Sequence, residues 1–387
     1  MNAPAAQLLH PDLAIAQRLA AVVLSPMKAA FVGKDEVIDL LGVCLVAGEN
    51  CFILGPPGTA KSALIQDLGR RLAGRTFDYL LTRFTEPNEL FGPFDIRRLK
   101  EGDLVTNTEG MLPEADLVFL DELLNANSAV LNSLLMVLNE RVFRRGRETR
   151  RLPLLMTVGA SNRLPEEESL RALFDRFLVR VRSDNVPDAG LSQVLEVGWA
   201  REVRSAGEPT LPIEDLKKLG GLLQAVDLQA VREPYLAIVR RLRQSGMALS
   251  DRRAVKLQRL VAASALICGR LAAMVQDLWI LRHIWDVEEQ RELIAAVVQT
   301  ELDRVPSAAG AHPQAARPGV PDAERLASDL AAIDSALSSV EQELPADERA
   351  RLRDRLSALA SRVPWVADET ERSALQARLD ALWARVP

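Results

Sequence analysis

The sequence predicts an α/β domain, in which helices cover both faces of a parallel sheet, followed by two helical regions. The first observation behind this prediction is that short apolar runs, bounded by turn residues, alternate with stretches of helical periodicity up to Pro187. The second is that helical periodicity continues after Pro187 without a strand-like run. The third is that only 4% of the 387 residues are aromatic, so the core is built from Leu, Val and Ala, a composition that favours helices.

Five apolar runs are the predicted strands of this sheet. Strands covered on both faces read as continuous apolar segments, because neither face meets water. The runs are residues 51–54, 79–82, 117–120, 154–160 and 177–182. Before them, helical spacing from Ala14 to about Gly48, broken at Pro26 and at Gly33, predicts two helices. Residues 1–190 are therefore assigned to this first domain.

Residues 191–304 are predicted to form a second, all-helical domain. Its helices are expected at residues 216–226, 234–243, 253–270, 271–284 and 287–302. Residues 305–321 then contain four prolines and two glycines without periodicity. That composition is typical of a linker between folded units.

Residues 322–387 form the predicted C-terminal helical module. Apolar residues recur there at alternating spacings of four and three in three stripes, within residues 326–344, 352–363 and 375–386. Breaks that contain proline separate the stripes. Heptad stripes report helix packing and not the partner. A self-contained bundle and a docking or oligomerisation module therefore remain equal alternatives.

Composition and charge exclude several classes of protein. The chain has 48 Lys and Arg against 53 Asp and Glu, a net charge of −5, which argues against a globally basic nucleic-acid binder. Its three Cys and three His lack metal-ligand spacing. The longest uncharged run, residues 123–139, is shorter than the ~20 apolar residues of a membrane span. No Lys or Arg precedes Arg18, so the positive start of a secretory signal is missing and a cytoplasmic protein is expected.

A glycine-rich loop stands between the predicted strand 51–54 and the following helix. Glycines let the backbone wrap around phosphates, and the helix start presents unpaired N–H groups. In this P-loop pattern, Lys61 can reach the β- and γ-phosphates of ATP, and the Ser62 hydroxyl can bind Mg²⁺. Ala60 replaces the second glycine of the pattern, and a chance strand-turn-helix corner is the alternative. The loop consists of Gly55, Pro56, Pro57, Gly58, Thr59, Ala60, Lys61 and Ser62.

Polar residues that follow the later apolar runs are the remaining candidates for chemistry. Asp121 and Glu122 follow the run 117–120, and we assign Asp121 to the metal and Glu122 to the attacking water. A helix N-terminal charge cluster is the alternative for that pair. Asn162, after the next run, could contact the γ-phosphate or the water, or could be a turn residue. For Arg176, a catalytic role and a surface salt bridge remain equal alternatives.

The motifs taken together resemble those of one protein family. The segments GPPGTAKS, LVFLDE, VGASN, ALFDRF and SDRRA occur in the order of the MoxR group of AAA+ ATPases, and the chain most resembles its RavA branch. The resemblance covers about residues 8–300. It implies an AAA+ αβα sandwich with a helical lid, assembled into a ring that is usually hexameric, with ATP bound between subunits. It also implies protein clients that are remodelled or loaded with a cofactor, and a von Willebrand A domain partner.

The resemblance assigns roles to individual residues. Lys61 and Ser62 look like Walker A, and Asp121 and Glu122 look like Walker B. The other assignments are Asn162 as sensor 1, Arg176 as the arginine finger that reaches the ATP of the neighbouring subunit, and Arg252 as sensor 2, with the adjacent Arg253 as the alternative. The tail after residue 305 is too short and too helical in pattern to match the larger C-terminal insertion of RavA, so the resemblance does not fix the partner. The alternative function is a slowly hydrolysing, nucleotide-gated scaffold whose heptad tail holds partners.

Two further segments have open interpretations. Residues 83–113 look like the helix-2 insert of this AAA+ clade, and Phe91 and Phe94 form either an apolar tip that grips a client or the core of the insert itself. Six arginines lie between Arg141 and Arg151. A subunit-interface or solvated role is favoured for them over nucleic-acid binding, because aromatic residues are sparse among them and the chain is acidic.

Overall fold

A five-stranded parallel sheet forms the centre of the first domain. The computed structural model describes residues 10–100, 105–145, 148–165, 168–203, 210–306, 308–316 and 323–338, with parts of 352–385. The strand order in the sheet is β3-β4-β7-β1-β8. In chain order the strands are β1 (Cys51–Leu54), β2 (Leu72–Ala73), β3 (Thr76–Leu80), β4 (Leu117–Asp121), β5 (Val142–Arg145), β6 (Glu148–Arg151), β7 (Met156–Ser161), β8 (Val179–Arg182) and β9 (Leu211–Pro212).

The predicted α/β fold is confirmed, with shifted strand ends. Each of the five apolar runs contributes a strand to the parallel sheet. The strand predicted at 79–82 lies at Thr76–Leu80, because the polar residues at its start also pair in register with β4, from Thr76 opposite Leu117 to Leu80 opposite Asp121. As an edge strand, β3 needs no apolar side chains on its exposed positions.

Helices pack on both faces of the sheet. They are α1 (Ala14–Arg18), α2 (Ser25–Ala30), α3 (Asp35–Ala47), α4 (Lys61–Arg71), α5 (Pro87–Phe91), α6 (Ile96–Lys100), α7 (Ser128–Glu140), α8 (Glu168–Phe174) and α9 (Asp188–Val203). A π-helical segment, Leu19–Leu24, joins α1 to α2. The stretch Pro11–Ala30 is long and apolar enough to cross a membrane by length and composition. Its buried side chains belong to the domain core, where Leu24 packs against Gly42 of α3.

The helical region after residue 210 forms a lid beside the sheet. Its helices are α10 (Ile213–Gly221), α11 (Arg232–Gln244), α12 (Asp251–Ile267) and α13 (Gln290–Leu302). The segment Val275–His283 is a 3-10 helix. The expectation that no strand follows Pro187 was wrong in one detail, because β9 pairs in parallel with β2. A two-residue strand is too short to leave a period in the sequence.

Residues 308–316 pack onto the lid and the first domain, and we call them the strap. The ring of His312 stacks on Trp279, with centroids 4.6 Å apart. The side-chain amide of Gln314 donates a hydrogen bond to Asp39 of α3 at 2.7 Å, and Arg282 of the lid donates to the Gln314 carbonyl oxygen at 3.2 Å. The prediction that 305–321 is a linker is therefore wrong for the strap. The side chains of His312 and Gln314 attach this segment to the folded part of the protein, although its composition is typical of a linker. Residues 317–321 lie outside the described part of the chain.

The C-terminal module has an apolar cluster of its own. The helices α14 (Ala323–Ser338) and Glu369–Trp383 contact each other. The cluster is separate from the core of the first 302 residues, and its buried members are Leu326, Leu330, Ile333, Leu352, Leu356, Leu359, Val363, Val366, Leu375, Leu379 and Leu382. Most of these residues belong to the predicted stripes, whereas residues 340 and 344 lie outside the described positions.

We expect two truncations on either side of the strap to differ in stability. A chain ending at residue 321 keeps the strap and should melt close to the full-length protein. A chain ending at residue 305 loses the ring on Trp279 and the amide on Asp39, which keeps its pair with Lys28. A hydrogen bond to a charged group contributes ~1.5–3 kcal/mol. Thermal unfolding should then begin on the order of 5 °C lower. Equal melting temperatures for the two chains would show that the strap does not stabilise the fold.

Candidate functional site

The carboxyl ends of four parallel strands meet at one edge of the sheet. Gly55 follows β1, and its N–H donates to the carbonyl oxygen of Ser161, the last residue of β7, at 3.0 Å. The N–H of Ser183, just after β8, donates to the carbonyl oxygen of Leu54 at 2.8 Å. Asp121 ends β4 at the same edge. Ligands of open parallel sheets bind at this edge, so the geometry gathers the predicted residues into one region.

The loop of residues 55–62 has the backbone shape that phosphate binding needs. A Cβ on Gly55 would lie 2.1 Å from the carbonyl oxygen of Ser183, so only glycine fits there. Gly58 has a φ of +83° with open space around it, and Ala60 has a φ of 63°. The left-handed conformation costs a non-glycine residue ~1–2 kcal/mol. Ala60 therefore occupies the glycine position of the pattern at a cost in backbone strain.

Lys61 and the start of α4 supply the positive charge of the loop. The Lys61 side chain is 7% exposed, and its Nζ donates to the carbonyl oxygens of Gly55 at 2.7 Å and Pro56 at 2.9 Å. Among the described residues, no acceptor receives the backbone N–H groups of Gly58, Thr59 and Ala60. Free N–H groups, a helix N-terminus and a buried ammonium fit the phosphates of a nucleotide.

Ser62 and Asp121 are 59 positions apart in the sequence and in contact in the fold. The Ser62 hydroxyl donates to Oδ2 of Asp121 at 2.8 Å, while Oδ1 of Asp121 accepts the N–H of Glu122 at 3.0 Å. A hydroxyl and a carboxylate are hard oxygen ligands of the kind that Mg²⁺ prefers. The donor set therefore fits a magnesium ion beside the loop.

Glu122 is held in an unusual backbone conformation next to this pair. Its φ is 49° and its ψ is 41°, in the left-handed region. Burial and the negative charge of Asp121 raise the pKa of the Glu122 carboxyl, against the opposing charges of Lys61 and Arg163. A carboxylate with a raised pKa accepts a proton more readily, which suits a general base.

Two basic residues near the site were missed by the sequence reasoning. The Arg163 guanidinium donates to the side chain of Asn125 at 3.4 Å. Its positive charge opposes the rise in the pKa of the Glu122 carboxyl. Nζ of Lys34 donates to the carbonyl oxygen of Asp184, and burial, together with the charge of Lys61, lowers the Lys34 pKa. Arg163 directly follows the exposed Asn162, which was the available signal. Lys34 lies in a turn that the sequence reasoning treated only as a helix break.

Arg176 lies near the amino ends of the strands, whereas the loop of residues 55–62 lies at their carboxyl ends. Its carbonyl oxygen accepts the side-chain amide of Asn50 at 3.0 Å, and Asn50 comes just before β1, whereas the phosphate loop comes just after it. At ~3.3 Å per strand residue, the backbone of Arg176 lies roughly 15 Å from Gly55 of the same chain. The guanidinium is 29% exposed and pairs with Asp175 at 3.0 Å. The fold thus does not bring Arg176 to the loop of its own chain.

The two candidates for sensor 2 differ in their surroundings. Arg253 is buried, and its guanidinium donates to the Asp286 carboxylate at 2.9 and 3.0 Å. Asp286 also accepts from the fully buried Arg180 of β8 at 2.7 Å. Arg252 is exposed in the first turn of α12 and has no hydrogen bond or ion pair with another described residue. Of the two, Arg252 keeps its guanidinium available for a ligand.

The aromatic residues of the insert pack differently from a gripping tip. Phe91 is buried and stacks on Phe143 with centroids 5.7 Å apart, and the Arg145 guanidinium lies 4.0 Å above the Phe94 ring. These contacts match the core-packing alternative. Phe84 instead exposes 83% of its surface.

Several arginines between residues 141 and 151 are bonded within the protein. Arg141 is partly buried and donates to the side chain of Asn50 at 2.9 Å. Arg150 donates to Thr108 at 3.1 Å, and Arg144 pairs with Glu140 at 3.1 Å. Arg147 lies outside the described residues. These three guanidinium groups are therefore engaged within the protein, whereas contacts with nucleic-acid phosphates use exposed ones.

Family comparison decides the class of protein that carries this site. Residues 17–221 match the family described as the MoxR domain in the MoxR-vWA-beta-propeller ternary systems. The chain belongs to the MoxR-type AAA+ ATPases. Residues 229–298 of this MoxR chain match the AAA lid domain, which accounts for the helical region after the sheet. The RavA branch expected from the motifs stays a prediction.

Individual relatives agree with this family. Two uncharacterized proteins of Methanocaldococcus jannaschii are 35% and 37% identical to the MoxR chain, over 70% and 67% of its length and 71% and 69% of theirs. The chaperone MoxR1 of Mycobacterium tuberculosis is 27% identical over 40% of this chain and 41% of its own. The crystal structure of a candidate ATPase from Cytophaga hutchinsonii has a TM-score of 0.61 at 17% identity, over 76% of this chain and 96% of that one, and thus shares the fold.

Proposed function

We propose that this MoxR protein hydrolyses Mg-ATP at sites shared between the subunits of a ring, which is usually hexameric in its family, and that it uses the cycle to remodel or mature protein clients. The observation that carries the proposal is the contact of Ser62 with Asp121, beside the buried Lys61 and the left-handed Glu122. A phosphate-binding loop, a candidate metal pair and a candidate base then lie together, as phosphoryl transfer to water requires.

The residues divide the chemistry as follows. Lys61 and the free N–H groups of the loop bind the phosphates, and Ser62 with Asp121 would hold Mg²⁺. Charge on the phosphate oxygens would be neutralised by this ion when it is bound. Glu122 accepts a proton from the attacking water through its carboxylate, and Asn162 orients the water or the γ-phosphate. Arg252 contacts the nucleotide from the lid.

The place of Arg176 supports action in a neighbouring subunit. Its backbone is roughly 15 Å from the loop of its own chain, by the length of β1. Its guanidinium is nevertheless 29% exposed beside Asp175, so it is open to a second copy of the chain. A positioned arginine neutralises the charge that develops on the transferring phosphoryl group. Each active site would then need two subunits.

The proposed partners and location are extended from the family. The description of the matching family names a vWA component, and we extend that partner class to this chain. The M. tuberculosis relative is called a chaperone, which supports protein clients. We place the activity in the cytoplasm. The separate apolar cluster of the C-terminal module supports the alternative function, a slowly hydrolysing scaffold that holds partners through this module.

Mg-ATP should stabilise the protein against heat, and replacing Lys61 with alanine should remove the effect. A ligand at ~100 times its Kd adds ~2.7 kcal/mol, which gives a shift on the order of 5–10 °C for a domain of this size. The measurement is thermal unfolding with and without Mg-ATP, with the exposed Lys100→Ala as the matched control. A full shift in Lys61→Ala would remove the nucleotide site from this loop. A shift in the wild type without phosphate release would favour the scaffold.

A further inference from the structure

Phe84 is presented to solvent on a hydrogen-bonded turn that follows β3. Its side chain is 83% exposed. The N–H of Thr85 donates to the Thr82 carbonyl oxygen at 3.2 Å, the N–H of Thr82 donates to the Thr85 hydroxyl at 3.0 Å, and the N–H of Phe84 donates to the Thr82 hydroxyl at 3.2 Å. Both hydroxyls therefore replace backbone partners and fix the turn locally.

This turn is attached to the segment that carries Glu122 at two points. The N–H of Leu81 donates to the carbonyl oxygen of Asp121 at 2.9 Å, next to Glu122. The side-chain amide of Asn127 donates to the carbonyl oxygen of Thr85 at 2.6 Å and to that of Arg83 at 3.3 Å. The two backbone carbonyls on either side of Phe84 thus share one amide group.

Asn127 also fixes the helix that follows Glu122. Its side-chain oxygen caps α7 by accepting the N–H groups of Ala129 and Val130, both at 3.1 Å. Between Glu122 and Asn127 the chain makes a single 3-10 turn, closed by the N–H of Asn125 on the Glu122 carbonyl oxygen at 2.9 Å. One short hydrogen-bonded turn is therefore all that separates Asn127 from the left-handed Glu122.

We propose that Asn127 is a positioning residue that couples the Phe84 turn to Glu122. The coupling rests on the proposed function, because it assigns Glu122 to the attacking water. The amide of Asn127 holds the Phe84 turn, and its side-chain oxygen holds the start of α7. Through the short connection to Glu122, a change in the position of Phe84 changes the position of the Glu122 carboxylate. Asn127 itself touches neither nucleotide nor water.

Two substitutions of Asn127 separate its hydrogen bonds to the Phe84 turn from its cap on α7. Asn127→Asp and Asn127→Ser both keep a good capping oxygen and lose the amide that binds the turn. We expect kcat for ATP hydrolysis to fall roughly 10- to 100-fold, because small misplacements of a reacting group cost about that much. The KM for ATP should stay at the wild-type value, and the melting temperature should fall by only a few degrees, because each lost hydrogen bond contributes ~0.5–1.5 kcal/mol. Ser133→Ala, which removes a hydroxyl that donates to the Ala129 carbonyl oxygen within the same helix, is the matched control and should keep the wild-type kcat.

Amide hydrogen exchange gives a second readout that does not depend on turnover. Exchange at residues 122–126 should be faster in Asn127→Ser than in the wild type, and unchanged in Ser133→Ala. Unchanged exchange and unchanged kcat in Asn127→Ser would overturn the coupling. A parallel loss of kcat, ATP affinity and melting temperature would show a merely structural role and would also overturn it. Absence of turnover in the wild type would instead contradict the proposed function, and the exchange result would then decide the coupling alone.

Discussion

Glu122→Gln is expected to bind Mg-ATP as the wild type does and to hydrolyse it ~10²–10⁴ times more slowly, the usual contribution of a general base. Gln has the shape of Glu, and the contacts of Asp121 with Ser62 and with the Glu122 N–H do not involve the lost carboxylate. Burial and the charge of Asp121 raise the pKa of the Glu122 carboxyl, so this group accepts a proton more readily. Gln has no carboxylate and cannot accept that proton.

Two measurements on the same samples check this expectation. Thermal unfolding with Mg-ATP reports binding, and phosphate release at saturating ATP reports turnover. The exposed Glu109→Gln is the matched control and should behave as the wild type in both. Near-normal turnover in Glu122→Gln would assign the base to another residue.

Arg176→Ala is expected to retain ATP binding and to lose ~10³–10⁵ in turnover, the effect of an arginine finger in the GTPases that give this range. The loss arises because the charge on the transferring phosphoryl group meets no cation from the neighbouring subunit. Binding should change little, because Arg176 is far from the loop of its own chain.

A structural explanation for Arg176 makes a different prediction. Its pair with Asp175 is partly exposed, and such surface pairs contribute ~0–1 kcal/mol. The melting temperature of Arg176→Ala should therefore stay near that of the wild type. Arg171→Ala, an exposed arginine on α8, is the matched control for turnover. A large drop in melting temperature that accounts for the lost activity would favour the structural role.

The sheet and the loop edge could be predicted because their signals are local. An apolar run such as 117–120 marks a buried strand, and the residue that follows it must emerge at the carboxyl edge of a parallel sheet. The contact between Ser62 and Asp121, 59 positions apart, follows from that topology. This contact could be predicted without knowing which other side chains surround the two residues.

Features that depend on distant partners could not be predicted. Gln314 bonds to Asp39, 275 positions away, so a segment rich in proline and glycine reads as a linker in sequence and packs as a strap in the fold. Arg180 is an arginine within a strand, yet it is fully buried, because the lid brings Asp286 and the carbonyl oxygen of Trp285 to it. Composition and periodicity contain neither pairing.

The insert shows the same limit for aromatic residues. Phe84, Phe91 and Phe94 lie within eleven positions and are equivalent as sequence signals. Only the fold shows that Phe91 is buried and that Phe84 faces solvent. The exposed ring is the one next to the segment of Glu122, so the structure corrects which residue of the insert deserves a functional test.

Mixing two inactive variants tests the shared site most directly. A Lys61→Ala subunit lacks a working loop and keeps Arg176, whereas an Arg176→Ala subunit keeps the loop and lacks the finger. In rings assembled at random from equal amounts, about a quarter of the interfaces join an intact loop to an intact finger. Phosphate release by the mixture should therefore recover to well above that of either variant alone. No recovery, although native mass spectrometry shows mixed rings, would contradict hydrolysis at sites shared between subunits.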